Sequence, residues 1–222
     1  MLLSVSCVRL LPWRDQPSEP ELNLAFTIER NLIELQTVQL DGREGRFILG
    51  SAARQTIVDP SFASGVRRVQ LSENDSVRIA PAIASLGGVA DAIIGVEPWR
   101  RDAISIDYRV GLVTYQRAGL VPGYMTIYRY EHEPTIYVNV NGNDVAAVVD
   151  TLSPDTVTLP GPPSTRGVAN IRVAETDFGS IDVGYADVTK ARVGNRLLSK
   201  FLVTIDYGER VVGLWRDPRI TM

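Results

Sequence analysis

The residues best placed to do chemistry lie in "VVDTLSPDTVTLP", from Val148 to Pro160. An apolar run climbs to Asp150, Thr151 follows, and Ser153 and Thr156 stand a short way beyond. A carboxylate at the end of an apolar strand can act as a general acid or base when the loop that carries it is buried. The same Asp-Thr-x-Ser string also serves as a plain turn or cap whose oxygens accept backbone hydrogen bonds. Other chemistries are excluded more simply. His132 is the only histidine, and no Gly-x-Ser-x-Gly elbow exists to pair with it, so a serine triad has no support. A lone Cys7 rules out internal disulfides and, with one histidine, Cys/His zinc clusters. Carboxylate-only sites for Ca²⁺ or Mg²⁺ stay formally open, but neither a metal nor another cofactor is expected.

The elements that must position Asp150 repeat along the chain. "LDGREGRFILG", Leu40 to Gly50, aligns without a gap on "VNGNDVAAVVD", Val140 to Asp150. Each begins at an Asp/Asn-Gly pair, the strongest short hairpin signal, and climbs through an apolar run. Further on, "AIIGVEPWRRDAISIDYRVGLVTY" from Ala92 aligns on "ARVGNRLLSKFLVTIDYGERVVGL" from Ala191, with Gly95 and Asp107 matching Gly194 and Asp206. Two blocks in the same order predict two diverged copies of one lobe, joined head to tail. The expected boundaries are a first lobe over 21–117, a connecting strand over 118–132 and a second lobe over 133–222. The connecting segment "AGLVPGYMTIYRYEHE" is too apolar for a flexible linker.

Within each lobe the texture is β. Short alternating stretches such as "TIYVNV", "FLVTI" and "RVVGLW" are separated by Gly, Pro and Asn turn clusters. Helix is expected only as a turn or two near "APAIASLGG" and near "GNRLLSKF". Asp107 and Asp206, each followed by Tyr, read as hairpin corners rather than an acid pair. "SENDS", Ser72 to Ser76, reads as a hairpin tip.

With a hydrophobic fraction of 45% over 222 residues, the chain can bury a substantial core. Net charge is −3, with Lys and Arg scattered, so the basic stripe of a nucleic-acid binder is missing. No apolar run reaches the ~20 residues of a membrane-spanning helix. Residues 1–20 read in two ways. "MLLSVSC" could be the remnant of an export signal ending at a lipidated Cys7, which would place the protein in the periplasm or cell envelope. The favoured alternative is a frayed tail on a cytoplasmic protein.

Each lobe resembles a retropepsin-like half of a pepsin-like or bacterial aspartic peptidase. In that family an apolar strand delivers an Asp-Thr-Gly loop, an apolar-apolar-Gly element packs behind it, and a short helix with a closing hairpin ends the lobe. "VVDTLSPDTV" is similar to the loop, and the block from Ala191 is similar to the closing segment. The resemblance implies an all-β, bilobal fold of two six- or seven-stranded half-barrels with a central cleft. It also implies that the hairpins at "LSENDSV" and "VAETDFGSI" correspond to the flap over that cleft. Asp150 and Thr151 then become the catalytic or vestigial residues. Gly50, Ser51, Ala52, Leu152 and Ser153 become cleft-lining residues.

Two departures bear on activity. Counting from the shared turn, the first-lobe aspartate position holds Gly50, with Ser51 and Ala52 after it. The family's chemistry needs two carboxylates that share a proton, one acting as base toward water and the other as acid. Asp150 has no such partner in the sequence. Leu152 replaces the glycine of the motif, which predicts either a cleft floor pushed apart or a leucine filling the place of the attacking water. The expected function is therefore a non-hydrolytic pseudo-protease that binds a peptide or serves as a structural partner. The rival expectation is an active aspartic endopeptidase assembled by dimerisation, with Asp150 of two chains meeting at a two-fold axis.

Overall fold

The computed structural model describes residues 22–63, 65–116 and 124–217. The tail over 1–20, with Cys7, and the first part of the connecting segment lie outside the described residues. Two turns set the frame. Asp41 and Gly42 have φ of 47° and 75°, and Asn141 and Gly142 have φ of 52° and 88°. These are the left-handed conformations that a two-residue hairpin requires and that Asp/Asn-Gly supplies at least cost.

The two halves meet in a six-stranded antiparallel sheet. From one edge its strands are Thr126–Arg129, Val211–Trp215, Leu202–Asp206, Ala103–Asp107, Leu112–Gln116 and Leu22–Glu29. At its centre Ser105 lies opposite Thr204, and their hydroxyls are 2.7 Å apart. The strands on either side of that pair follow in corresponding order, so the sheet has an approximate two-fold axis there. Val203, Thr204, Ile205 and Asp206 are all buried, as expected for a strand covered on both faces.

The halves then diverge. The second forms a closed six-stranded barrel: Thr135–Val140, Asn143–Val149, Ala191–Val193, Val157–Pro160, Thr176–Ala186 and Arg166–Val173. In the first, Leu32–Leu35, Phe47–Leu49, Ala92–Ile94, Ile57–Val58 and Ala82–Ile83 extend the central sheet into eleven strands. Gln39–Leu40, Arg68–Gln70 and Ser76–Arg78 form a separate three-stranded sheet. One hydrophobic core runs through both halves, including Phe47, Leu49, Ile94 and Trp99 on one side and Val149, Ile171, Val193 and Leu198 on the other.

"GNRLLSKF" does contain a helical turn, Asn195–Leu198, anchored by buried Leu197 and Leu198. "APAIASLGG" does not. Ala82–Ile83 instead pairs in parallel with Ile57–Val58, with the Ala82 N–H donating to Thr56 O at 2.9 Å. A strand partner was available there, and Pro81 with the left-handed Gly87 and Gly88 (φ 60° and 73°) leaves too short a run for a helix. Both "SENDS" and "VAETDFGSI" sit at hairpin connections. Among the described residues, no helix is long and apolar enough to cross a membrane.

Candidate functional site

Asp150 is delivered by the strand Asn143–Val149, which runs parallel to Ala191–Val193. Its N–H donates to Val193 O at 3.0 Å, and its carbonyl accepts from Ser153 N–H at 3.0 Å, which closes the loop into a turn. The first half repeats this bond for bond. Gly50 N–H donates to Ile94 O at 2.9 Å, and Gly50 O accepts from Ala53 N–H at 3.1 Å. Behind each loop packs the expected glycine. A Cβ on Gly194 would stand 2.4 Å from the carbonyl oxygens of Ser153 and Asp155, and one on Gly95 would stand 2.5 Å from Gln55 O. Only a residue without a side chain lets these backbones approach so closely.

The two loops interlock. Thr151 Oγ1 donates to Leu49 O at 2.5 Å and accepts from Ser51 N–H at 2.9 Å. Ser51 Oγ donates to Val149 O at 2.8 Å and accepts from Thr151 N–H at 3.0 Å. Each hydroxyl thus satisfies a donor and an acceptor of the opposite loop, and both residues are fully buried. A serine serves as well as a threonine here because only the hydroxyl is used.

A further layer ties these loops to the central sheet. The Tyr207 hydroxyl donates to Ser51 O at 2.8 Å. The Tyr108 hydroxyl donates to Asn195 Oδ1 at 2.8 Å, and Asn195 Nδ2 in turn donates to Thr151 O at 2.7 Å. Burial pushes both phenols well above the usual tyrosine value, so they stay protonated as donors. From the sequence, Asp107 and Asp206 are expected at hairpin corners, and the tyrosines that follow them carry no role of their own. Their recurrence in both Ile-Asp-Tyr blocks was the available signal. Asp107 and Asp206 do not meet: in the paired strands they stand opposite Leu202 and Ala103 respectively, at opposite ends.

At the centre the two halves differ in chemistry. The Asp150 carboxylate, 2% exposed, accepts from the Arg192 guanidinium at Oδ2 and from the Leu152 N–H at Oδ1 at 3.0 Å. Arg192 was not anticipated. It sits opposite Val148, where the first half sets Ile93 opposite Ile48. A Cβ on Gly50 would stand 2.8 Å from Ile93 Cγ2, 2.9 Å from Ala53 Cβ and 3.5 Å from Leu152 Cδ1. The place from which a second carboxylate would project is therefore occupied by apolar side chains. Of the two outcomes expected for Leu152, a separated floor is ruled out by the intact Ser51–Thr151 bonds, and the leucine packs toward Gly50 instead.

Ser153 is buried, its Oγ 3.4 Å from Thr158 Oγ1. Ala52 is half-buried and lines, with Asp150, Leu152, Lys190, Arg192 and Glu133, a cavity of about 190 Å³. Lys190 Nζ donates to Glu133 Oε2 at 3.2 Å across it. His132 is 76% exposed and makes no hydrogen bond to the Asp150 carboxylate. Among the described residues, no three His, Cys, Asp or Glu side chains gather as a metal site would require.

No protein-family model matches the chain, and no curated protein matches it in sequence. Among solved structures it is similar to the aspartic proteinase from Irpex lacteus, with a TM-score of 0.61 over 90% of this chain and 98% of that one, at 9% identity. At that identity the likeness is one of fold: the chain has a bilobal, aspartic-proteinase-like architecture.

Proposed function

We propose that the protein is a non-hydrolytic relative of the aspartic peptidases that binds an extended peptide in the cleft between its halves. The observation that carries this reading is the surroundings of Gly50. Amide hydrolysis by this route needs one carboxylate to take a proton from water while a second, acidic one protonates the substrate. Asp150 can supply one such group. Its counterpart in the other loop is Gly50, beside which stand Ile93, Ala53 and Leu152, none of which carries an ionisable proton. The remaining oxygen of Asp150 is taken up by Arg192, a cation that compensates a buried charge and offers no acid of suitable strength. The sheet of the first half ends in a short edge strand, Ala82–Ile83, and an extended peptide can add to such an edge by main-chain hydrogen bonds, which needs no catalytic residue.

Incubation of purified protein with an unfolded protein substrate from pH 2.5 to 7 is expected to leave the substrate intact, and Asp150→Asn is expected to change nothing. Acid-optimal cleavage that disappears in Asp150→Asn would overturn the reading. The rival, a dimeric enzyme using Asp150 from two chains, would have to break the Ser51–Thr151 bonds. It would also have to displace a covalently attached half present at an effective concentration on the order of millimolar. A monomeric mass in analytical ultracentrifugation is the expected result.

A further inference from the structure

Beside the Asp150 cavity lies a larger one, about 330 Å³, with which it shares Ala52 and Glu133. Its chemistry is distinct. Arg54 comes from the loop that follows Ser51, Arg100 from the end of the turn Glu97–Trp99, and Arg210 from the connection between Leu202–Asp206 and Val211–Trp215. Three separate segments from both halves thus each contribute an arginine to the walls of one space, with Tyr130 and Tyr207 beside them.

None of these arginines is ion-paired with a described residue. Of the two acids at the rim, Glu133 is engaged by Lys190 at 3.2 Å, and Glu131 is 90% exposed with His132 4.0 Å away. Like charges set around a concave surface repel one another and focus a positive potential into it, which an anion relieves. A guanidinium offers a planar fork of donors matched to a carboxylate, and aromatic walls admit the apolar stem behind it.

We propose that this cavity is a carboxylate subsite, and that the peptide held in the cleft is acidic at the end that reaches it. The inference rests on the peptide-binding reading above for the peptide, and on the arginines alone for the carboxylate. The carboxylate can come from a Glu or Asp side chain or from the peptide's C-terminus.

The test compares three six-residue peptides of otherwise identical sequence: neutral and capped at both ends, capped with two Glu at one end, and neutral with a free C-terminal carboxylate. Binding is measured by calorimetry to the wild type and to an Arg54→Gln/Arg100→Gln/Arg210→Gln variant, whose changes are all at exposed positions. At least one carboxylate-bearing peptide is expected to bind about tenfold tighter than the neutral one. That advantage should shrink as salt rises toward 0.5 M and vanish in the triple variant, while the neutral peptide binds both proteins alike. Which charged peptide gains identifies the source of the carboxylate. Equal affinity for all three peptides overturns the subsite and leaves the cleft reading standing.

If no peptide binds, the cleft reading fails, and the subsite is judged by titrating capped diglutamate while following the arginine Nε–H signals by NMR. Movement of the signals of Arg54, Arg100 and Arg210 upholds it. Unmoved signals at millimolar diglutamate overturn it.

Discussion

The two halves place the same backbone around different side chains. Gly50 and Asp150 donate to Ile94 and Val193, accept from Ala53 and Ser153, and are flanked by hydroxyls that bridge to the opposite loop. Yet one loop presents an ion-paired carboxylate and the other an apolar pocket. The frame is fixed by main-chain bonds and by two close approaches at glycine, so its maintenance does not depend on the acid. The loop at position 50 therefore holds its shape without a carboxylate, and Ile93 and Leu152 pack beside Gly50.

The same contrast appears at the hairpin corners. The Arg109 guanidinium holds the Asp107 carboxyl below the usual range, whereas burial raises Asp206 above it. The residue matching Arg109 in the second half is Gly208, where a Cβ would stand 2.6 Å from Arg101 O. No long side chain can start from that position, so Asp206 lacks the cation that Asp107 has.

Closure of one barrel and not the other has an equally local origin. In the second half the hairpin strands Arg166–Val173 and Thr176–Ala186 are long enough to pair with both Thr135–Val140 and Val157–Pro160. In the first half the corresponding stretch is cut into Ser76–Arg78 and Ala82–Ile83. Pro81, between them, has no N–H to continue a ladder.

The largest expected effect comes from breaking what the halves share. Thr151→Val leaves Ser51 N–H and Leu49 O buried without partners and should destabilise the protein by about 3 kcal/mol in urea unfolding. Ser51→Ala should match it to within about 1 kcal/mol, because it orphans the equivalent groups. A clear inequality would mean that the interlock is not symmetric in energy.

Next come the features in which the halves differ. Arg192→Met strands the buried Asp150 and should cost about 2 kcal/mol, less than for a fully buried pair because Arg192 is 44% exposed. Adding Asp150→Asn should recover more than half of that loss, and failure to recover would show that Arg192 acts by packing. In the first half, Gly50→Asp should cost about 2 kcal/mol by overpacking, and Ile93→Ala alongside it should restore part of the stability.

The smallest effects are expected at the corners, with opposite signs. A lowered folded-state value means that Asp107 contributes stability above the usual 3.8, lost as pH falls through the folded value. Asp107→Asn should therefore cost more at pH 7 than at pH 3. A raised value means that Asp206 carries a penalty absent below 3.8 that grows as pH rises toward the folded value. Asp206→Asn should gain on the wild type over that window. Parallel profiles for the two variants would remove the contrast.

Most of the frame was legible because it is written locally. Asp41-Gly42 and Asn141-Gly142 announce their turns, and Gly95 and Gly194 mark close approaches whose spacing to the strands that follow is conserved within the chain. The Ser51 and Thr151 hydroxyls could be placed from their position after the aspartate slot. Arg192 was missed because its partner lies 42 residues away and only the parallel pairing with Asn143–Val149 joins them. An arginine aligned on Ile93 in an otherwise apolar strand was the one trace it left. Ala82–Ile83 was misread because its composition suits either state and a partner distant in sequence decided between them.

Tyr207, which belongs to the second half, holds the floor of the first; Tyr108, which belongs to the first, holds the floor of the second through Asn195. Each half thus lends the other a strut that it cannot supply for itself. Such mutual bracing predicts that melting is a single event, one calorimetric transition for the whole molecule, and that either half expressed alone stays incomplete until its complement is added back; two separated transitions would show that the struts do not couple the halves.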